Sequence, residues 1–373
     1  MLITLWILVA VLMLLAIGLL VAGSVLGRML VQWSWPQLIE VDQITEQAVV
    51  IESTSLVRYP GVFGLRTATG HARVGAVIAD DGKYIVRRIE AVHGDILTAR
   101  QAAYDGDFHA TPDELGMVQE VIVEGASGSL PAWRFGPSAS DTWIIHVHGF
   151  LADRNNVLRS VAVLTDLPVV QLAVSYRGDG TGPAVPGNAS RLGLDEWSDV
   201  EAALRYAAEQ GASRLVLVGW SMGATIVLLI GERSAYRDLI IGQVFDSPAT
   251  DWMATMKASA QRIGIPLAGA VAGYVGWFLG NRTLCKLTGL REPMDFDELN
   301  MTKPGRVHVP TLVVHSVGDL TIPISATRRF AANAPSLVTL HEAQKAPHTW
   351  EFNVDFDGVS KLVQQWVEDL LTR

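Results

Sequence analysis

Arg214-Leu215-Val216-Leu217-Val218-Gly219-Trp220-Ser221-Met222-Gly223-Ala224-Thr225-Ile226-Val227-Leu228-Leu229-Ile230 is the stretch on which the reading of this chain turns. Residues 214–218 form a short apolar run rich in valine, which predicts a buried strand. Residues 224–230 are apolar throughout and predict a buried helix. Between them lies Gly219-Trp220-Ser221-Met222-Gly223, a G-x-S-x-G pentapeptide. A strand, a sharp turn and a helix with serine at the apex form a nucleophile elbow. The two glycines let strand and helix approach closely around a strained serine, and the hydroxyl then projects beside the positive end of the helix. The competing reading is a glycine-rich turn carrying a solvated serine.

Strands and helices alternate outward from this point. Val118–Val123 and Ala132–Phe135 read as paired strands across a Gly/Ser loop. Trp143–His148, Val169–Ser175, Ile240–Phe245, Thr311–His315 and Val338–Leu340 read as further strands, with helices over 155–165, 195–210 and 324–333. In the last element Val359, Leu362, Val363, Trp366, Val367, Leu370 and Leu371 recur at helical spacing on one face. Such alternation predicts an α/β fold, a mostly parallel sheet with helices on both faces. About sixty residues, 249–308, interrupt the alternation. They contain an uncharged run, Ile263 to Gly280. A second membrane span there would separate strands that belong to one sheet, so a helical cap with apolar walls for an acyl group is the expectation.

Upstream, Met1 to Gly27 carries no charged side chain. As a helix it would extend roughly 40 Å, enough to cross a bilayer with tilt. A cleaved signal peptide is the alternative. No Lys or Arg precedes the run, and Val21-Ala22-Gly23 makes a poor cleavage site. The expectation is therefore a single-pass anchor over 1–27 in the cell membrane. Arg28 alone leans toward a cytoplasmic catalytic domain and leaves the side open. Residues 28–42, Pro36 among them, read as a juxtamembrane linker whose Trp33 and Trp35 suit the headgroup level, with packing on the soluble domain as the alternative. Residues 43–116 read as a small β-rich module. Its strand runs include Ala48–Ile51, and a hairpin turns at Asp80-Asp81-Gly82. The alternating strand–helix domain would then occupy 117–373.

Composition narrows the function. A net charge of −9 over 373 residues argues against a nucleic-acid surface. The single Cys285 excludes an intramolecular disulfide framework and a cysteine metal cluster. A serine nucleophile needs a base, a group to orient that base, and donors for an oxyanion. The base candidate is His348, in a loop between the final strand and the C-terminal helix. The orienting acid is Asp319, just past the Thr311–His315 strand, where α/β sites gather; Asp246, after the preceding strand, is the alternative acid. The backbone N–H groups of Phe150 and Met222 are the candidate oxyanion donors. His146 and His148 lie at i and i+2, but neither carboxylate nor cysteine stands at ligand spacing, so neither a metal nor another cofactor is implied.

With these residues in place, the chain from about 117 onward resembles the α/β-hydrolases. His148-Gly149-Phe150, Ser175-Tyr176-Arg177-Gly178-Asp179-Gly180, Gly219-Trp220-Ser221-Met222-Gly223, Gly318-Asp319 and the late His348 match that superfamily's successive landmarks. Within it the chain is similar to the serine aminopeptidase-like and monoacylglycerol lipase-like branch. It is also similar to membrane-anchored bacterial hydrolases, chiefly actinobacterial, of unassigned substrate. That second resemblance extends into the β module through Gly64-Leu65-Arg66 and Ala72-Arg73-Val74-Gly75. One departure is Ala346-Pro347 before the histidine, where Gly-His is frequent. The resemblance implies a serine hydrolase acting through an acyl-enzyme, with a small-molecule or lipid-like acyl substrate. Two other functions stay open: a peptidase, for which the acidic stretch Glu292–Glu298 would supply carboxylates, and a non-catalytic binding protein on a hydrolase fold.

Overall fold

The uncharged N-terminal run folds as one helix, α1 (Leu2–Val31), in a computed structural model that describes residues 2–32 and 38–372. Trp33 and Trp35, expected at the headgroup level, and Pro36 lie outside the described residues. The helix is long and apolar enough to cross a membrane. Its side chains from Leu2 through Leu8 and most of those on to Val21 are exposed. Further along, Gly23, Gly27 and Val31 recur every fourth residue and are buried. Small residues at that spacing let another helix approach closely. A Cβ on Gly23 would come 2.3 Å from the Phe278 ring. The end of α1 is therefore docked on the domain, and part of the segment read as a linker is helical.

The β module is a closed six-stranded barrel. Its strands are β1 (Leu38–Ile44), β2 (Ala48–Glu52), β3 (Phe63–Arg66), β4 (Gly70–Asp80), β5 (Tyr84–Gly94) and β6 (Gln101–Asp105). They pair in the order β1-β2-β5-β4-β3-β6 and close back on β1, antiparallel throughout. Closure leaves no free sheet edge. β1 begins within the segment read as a linker. The Asp80-Asp81-Gly82 turn joins β4 to β5 as expected: Gly82 has φ 89°, and the two aspartates accept hydrogen bonds from the amides of Gly82, Lys83 and Tyr84. Val49, Ile51, Phe63, Leu65, Ala72, Val74 and Ile85 fill the interior.

The alternating region comprises β7 (Val118–Gly125), β8 (Gly128–Phe135), β9 (Thr142–Val147), α2 (Leu158–Val163), β10 (Val170–Val174), α3 (Trp197–Glu209), β11 (Arg214–Trp220), α4 (Met222–Arg233) and β12 (Ile240–Asp246). It continues through α5 (Trp252–Arg262), α6 (Ala268–Gly280), β13 (Thr311–Ser316), α7 (Ile324–Ala332), β14 (Val338–Ala343), α8 (Glu351–Val354) and α9 (Phe356–Leu371). Eight strands form one sheet in the order β14-β13-β12-β11-β9-β10-β8-β7. The sheet is mixed. The run from β14 to β10 is parallel, and β8 and β7 close one edge antiparallel. Both faces are covered, which is why β10 and β13 are buried at every residue. One core cluster takes in α4, much of α3 and the inner side of α6; the other takes in α2 and the Val359, Val363, Val367, Leu370 stripe of α9.

The uncharged run in the insertion does not span a membrane as one element. α5 ends at Arg262, and α6 has 13 residues, about 20 Å of helix, short of a hydrocarbon core. The two helices pack on each other within the insertion expected to form a cap. The end of α1 lies against this cap: Tyr274 Oη donates to the Leu19 carbonyl (2.5 Å), and Ser24 Oγ and Arg28 Nε both donate to the Leu287 carbonyl (3.0 Å each). Gln32 Nε2 donates to the carbonyls of Thr288 (3.0 Å) and Gly187 (3.2 Å).

Candidate active site

β11 ends at Trp220 and α4 begins at Met222, so Ser221 alone makes the turn, with φ 50° and ψ −111°. That left-handed backbone is costly for a residue with a Cβ. Close packing on both sides holds it. A Cβ on Gly219 would lie 2.7 Å from the Ala224 backbone, and one on Gly223 would lie 2.2 Å from the Val147 carbonyl oxygen. Only glycine fits either place. Ser221 N–H donates to the Asp246 carbonyl (2.9 Å), and the Ser221 carbonyl accepts from Ala249 N–H (3.0 Å).

His348 Nε2 lies 2.8 Å from Ser221 Oγ, and His348 Nδ1 lies 2.6 Å from Asp319 Oδ2. The three residues come from the elbow, from the loop after β13 and from the loop after β14, all at the carboxyl ends of parallel strands. Asp319 is buried and fully engaged. Its Oδ1 accepts from the amides of Thr321 (2.7 Å) and Ile322 (2.9 Å), and its Oδ2 is also 3.1 Å from His315 Nε2. Burial alone would raise this carboxyl. The His348 charge and the hydrogen bonds from His315 and His348 outweigh it and hold Asp319 well below the usual carboxylate range. Burial pulls His348 down, and the charge and hydrogen bond of Asp319, with Glu351 adding to them, more than offset it. The imidazole is left above its ordinary value.

Asp246 makes no hydrogen bond to His348. Its buried carboxyl sits beside Glu351, and burial together with the Glu351 charge pushes it well above the usual carboxylate range. Glu351 Oε1 meanwhile accepts from Ser247 Oγ (2.6 Å) and Ser316 N–H (2.7 Å). Both Asp246 oxygens and Glu351 Oε2 are buried without a hydrogen-bond partner among the described residues, so the Asp246 carboxyl lies beneath the loops and is not bonded to the imidazole.

The other side of the serine is formed by His148-Gly149-Phe150. A Cβ on Gly149 would lie 3.1 Å from Ser221 Cβ, so this backbone passes directly against the nucleophile position. The turn after β10 pins it. Tyr176 Oη donates to the Gly149 carbonyl (2.8 Å), the Tyr176 ring stacks on His148 at 4.1 Å, and His148 bridges Asp179 Oδ2 (3.1 Å) and the Gly149 carbonyl (2.9 Å). Met222 contributes the first amide of α4, which has no acceptor within the helix. Phe150 packs its side chain against the core cluster that contains Met222.

The two histidines at i and i+2 take separate partners. His146 sits between Ser160 Oγ and Gln171 Oε1 (2.9 Å each), and burial lowers it to about 4, so it is neutral. His148 belongs to the turn just described. Sequence reasoning missed His315, which follows an apolar strand in a pattern indistinguishable from a core histidine. It also missed Glu351, whose partners are 104 and 35 residues away. Three of the four carboxylates in the Glu292–Glu298 stretch have partners: Glu298 pairs with Arg233, Asp297 with Lys303 (2.6 Å), and Asp295 accepts from two backbone amides.

A family model described as a domain of unknown function (DUF8805) matches residues 39–105, which is the barrel. No curated protein matches the chain in sequence. Among solved structures, the chain is similar to the Pyrococcus furiosus esterase Pf2001. In one crystal form the TM-score is 0.53 at 18% identity, covering 70% of this chain and 94% of that one. In a second form the values are 0.51 and 17%, with 70% and 96% covered. At this identity the likeness is one of fold.

Proposed function

We propose that the chain is a membrane-anchored serine hydrolase that cleaves a carboxylic ester or thioester through an acyl-enzyme on Ser221. The observation that carries this reading is the unbroken hydrogen-bond relay from Ser221 Oγ through His348 to Asp319, mounted on a strained elbow. Ser221 Oγ attacks the carbonyl carbon as His348 Nε2 takes its proton. Asp319 holds the imidazole with Nδ1–H toward itself and stabilises the imidazolium that forms. The amides of Met222 and Phe150 receive the oxyanion. His348 then returns the proton to the leaving alcohol or thiol, and water, activated by the same imidazole, releases the acid.

Two features support the membrane setting and an acyl substrate. α1 is apolar over its first turns, while its last turns are bonded to the cap, which favours a retained anchor over a leader that is cut away. The cap also supplies the apolar inner face of α6. The placement within the superfamily, beside the serine aminopeptidase-like and monoacylglycerol lipase-like branch, belongs to the same proposal. An ester is preferred to an aminoacyl substrate because the cap carboxylates of Asp297 and Glu298 are spent on Lys303 and Arg233.

The test is activity-based labelling with a fluorophosphonate, run beside an ester panel of increasing acyl length. The wild type should be labelled and should hydrolyse at least one class of ester. Ser221→Ala should lose both. Full hydrolysis by Ser221→Ala would remove the mechanism, and a wild type inert to every probe would return the chain to a binding role.

A further inference from the structure

The barrel and the hydrolytic domain meet at the loop that carries His348. Ala346 and Trp350 flank that histidine at two residues' distance on either side. Both are buried, and both belong to the apolar core of the barrel rather than to the two cores of the eight-stranded sheet. The Trp350 ring enters an aromatic box. Its centroid is 4.7 Å from Phe63 on β3, 5.9 Å from Tyr104 on β6 and 6.4 Å from Tyr59 in the loop between β2 and β3. The Tyr104 and Tyr59 contacts are edge-on, the arrangement aromatic pairs favour.

Beneath the box lies Arg87 of β5, a fully buried cation. Its guanidinium donates to the carbonyls of Val57 (2.8 Å), Tyr59 (2.9 Å), Gly61 (2.8 Å) and Gly75 (2.9 Å), and stands 5.0 Å from the Phe63 ring. A guanidinium has five N–H donors in a fixed fork, so it can tie several carbonyls of one loop into a single shape. The loop it shapes, 57–62, reaches the hydrolytic domain. Val62 N–H donates to the Asn353 carbonyl (3.1 Å), and Asn353 Nδ2 donates back to the Val62 carbonyl (2.6 Å) and to that of Gly106 (2.8 Å). Arg159 on α2 completes the grip by donating to Asn353 Oδ1 (2.5 Å) and to the Thr349 carbonyl (2.7 Å).

Between His348 and Trp350, Thr349 has φ 58°, an unfavourable backbone for a β-branched residue. Such a conformation persists where its surroundings over-determine it. Apart from the His348 ring itself, the hydrolytic domain holds this loop by its backbone: Ser316 Oγ bonds the amide (2.7 Å) and carbonyl (2.8 Å) of Ala346, Ser247 Oγ accepts from Thr349 N–H (3.3 Å), and Arg159 donates to the Thr349 carbonyl. The side chains that anchor the loop are seated in the barrel.

We propose that the barrel is a positioning element for His348: the aromatic box organised by Arg87 seats Trp350, and that seat sets the imidazole against Ser221 and Asp319. The catalytic part of this claim rests on the function proposed above; the placement of the imidazole does not. The full chain in detergent micelles serves for the test, with the downfield Nδ1–H proton resonance of His348 as the readout of position, assigned by its loss in His348→Ala. Trp350→Ala should lower kcat on a soluble short-chain ester by about 10- to 100-fold with KM little changed, the scale expected when a reacting group shifts by about an ångström. The downfield resonance should broaden or vanish while circular dichroism stays that of the wild type. Trp350→Phe should restore most of both. Arg87→Lys, which touches neither His348 nor substrate, should give the same signature in weaker form. If Trp350→Ala does not fold, Tyr59→Ala at the rim of the box takes its place. A folded Trp350→Ala or Tyr59→Ala with wild-type kcat and an unchanged resonance would overturn the proposal. A wild type without esterase activity would fail the function instead, and the resonance would still decide whether the barrel holds the imidazole.

Discussion

The site at Ser221 has two flanks, and they are finished in opposite ways. On the His348 side the barrel buries its contact surface. Trp350 is enclosed by rings, Arg87 is fully buried, and Asn353 has both its side-chain and backbone groups bonded across the boundary. On the cap side, α5 and α6 turn an apolar face inward, and large apolar side chains on α6 and on the link between the two helices are left outside: Leu267 is 81% exposed, Ile263 63% and Trp277 58%. α6 and the turn at 284–288 that follows it receive the end of α1. Exposed apolar side chains grouped beside a docked apolar helix mark a surface that meets something other than water. The contrast separates two tasks. In the function proposed above, one flank would fix the geometry of proton transfer, and the other would face the medium from which an acyl substrate comes.

The strongest way to break this division is through the acid. Asp319→Asn is expected to lower kcat by about 10⁴-fold, because an amide no longer selects the imidazole tautomer that accepts the serine proton. Asp246→Asn should stay within a few-fold of the wild type, since Asp246 touches Glu351 and not His348. Steady-state kinetics on a soluble ester decide between them, and a reversal of the two effects would move the orienting role to Asp246.

The cap flank is tested by separating soluble from membrane-held substrate. Leu267→Ser combined with Trp277→Ser should leave hydrolysis of a soluble short-chain ester unchanged. On an ester embedded in vesicles the rate should fall by roughly tenfold or more, because each large apolar side chain withdrawn from water contributes about 1.5–3 kcal/mol. Equal losses on both substrates would show that the cap shapes the site itself.

The barrel flank is sharpened by pH. His348 must be neutral to accept a proton, and its pKa lies above the ordinary imidazole value. The acid limb of kcat/KM should therefore fall as pH drops through a value above about 6.5. Trp350→Ala, by loosening the contact with Asp319, should move that limb to lower pH. The smallest effect concerns stability. The folded-state pKa of Asp246 is raised, so its neutral form contributes stability that is present below the unfolded carboxylate value and lost as pH rises through the folded one. Asp246→Asn keeps a neutral group there. Its melting temperature should lie close to that of the wild type in acid and above it in alkali.

Much of the proposed catalytic set was legible along the chain because each member sits in a local pattern. Gly219 and Gly223 around Ser221 announce a backbone crossing that only glycine permits, and Gly318-Asp319 follows an unmistakable strand. The Asp80-Asp81-Gly82 turn was legible for the same reason. His315 was not, because its bond to Asp319 is made by a ring nitrogen at the end of a strand whose other residues are core. The bounds of the barrel were missed at one end because β1 has exposed polar residues on both sides of a single buried Val41. Its alternation is too weak to read, and only pairing with β2 and β6 makes it a strand.

By itself, then, the sequence determined the elbow, the order of serine, acid and histidine, the alternation that builds the sheet, and an apolar helix of membrane-spanning length. All of these are written in contacts between near neighbours, where backbone conformation and hydrophobic period leave a local trace. The tertiary structure alone decided that Asp319 rather than Asp246 faces His348, that α1 ends on the cap, and that Trp350 belongs to the barrel's core. Those facts rest on contacts across tens to hundreds of residues. A tryptophan two places from a histidine looks the same in a sequence whether it faces solvent or fills the end of a barrel formed nearly three hundred residues earlier.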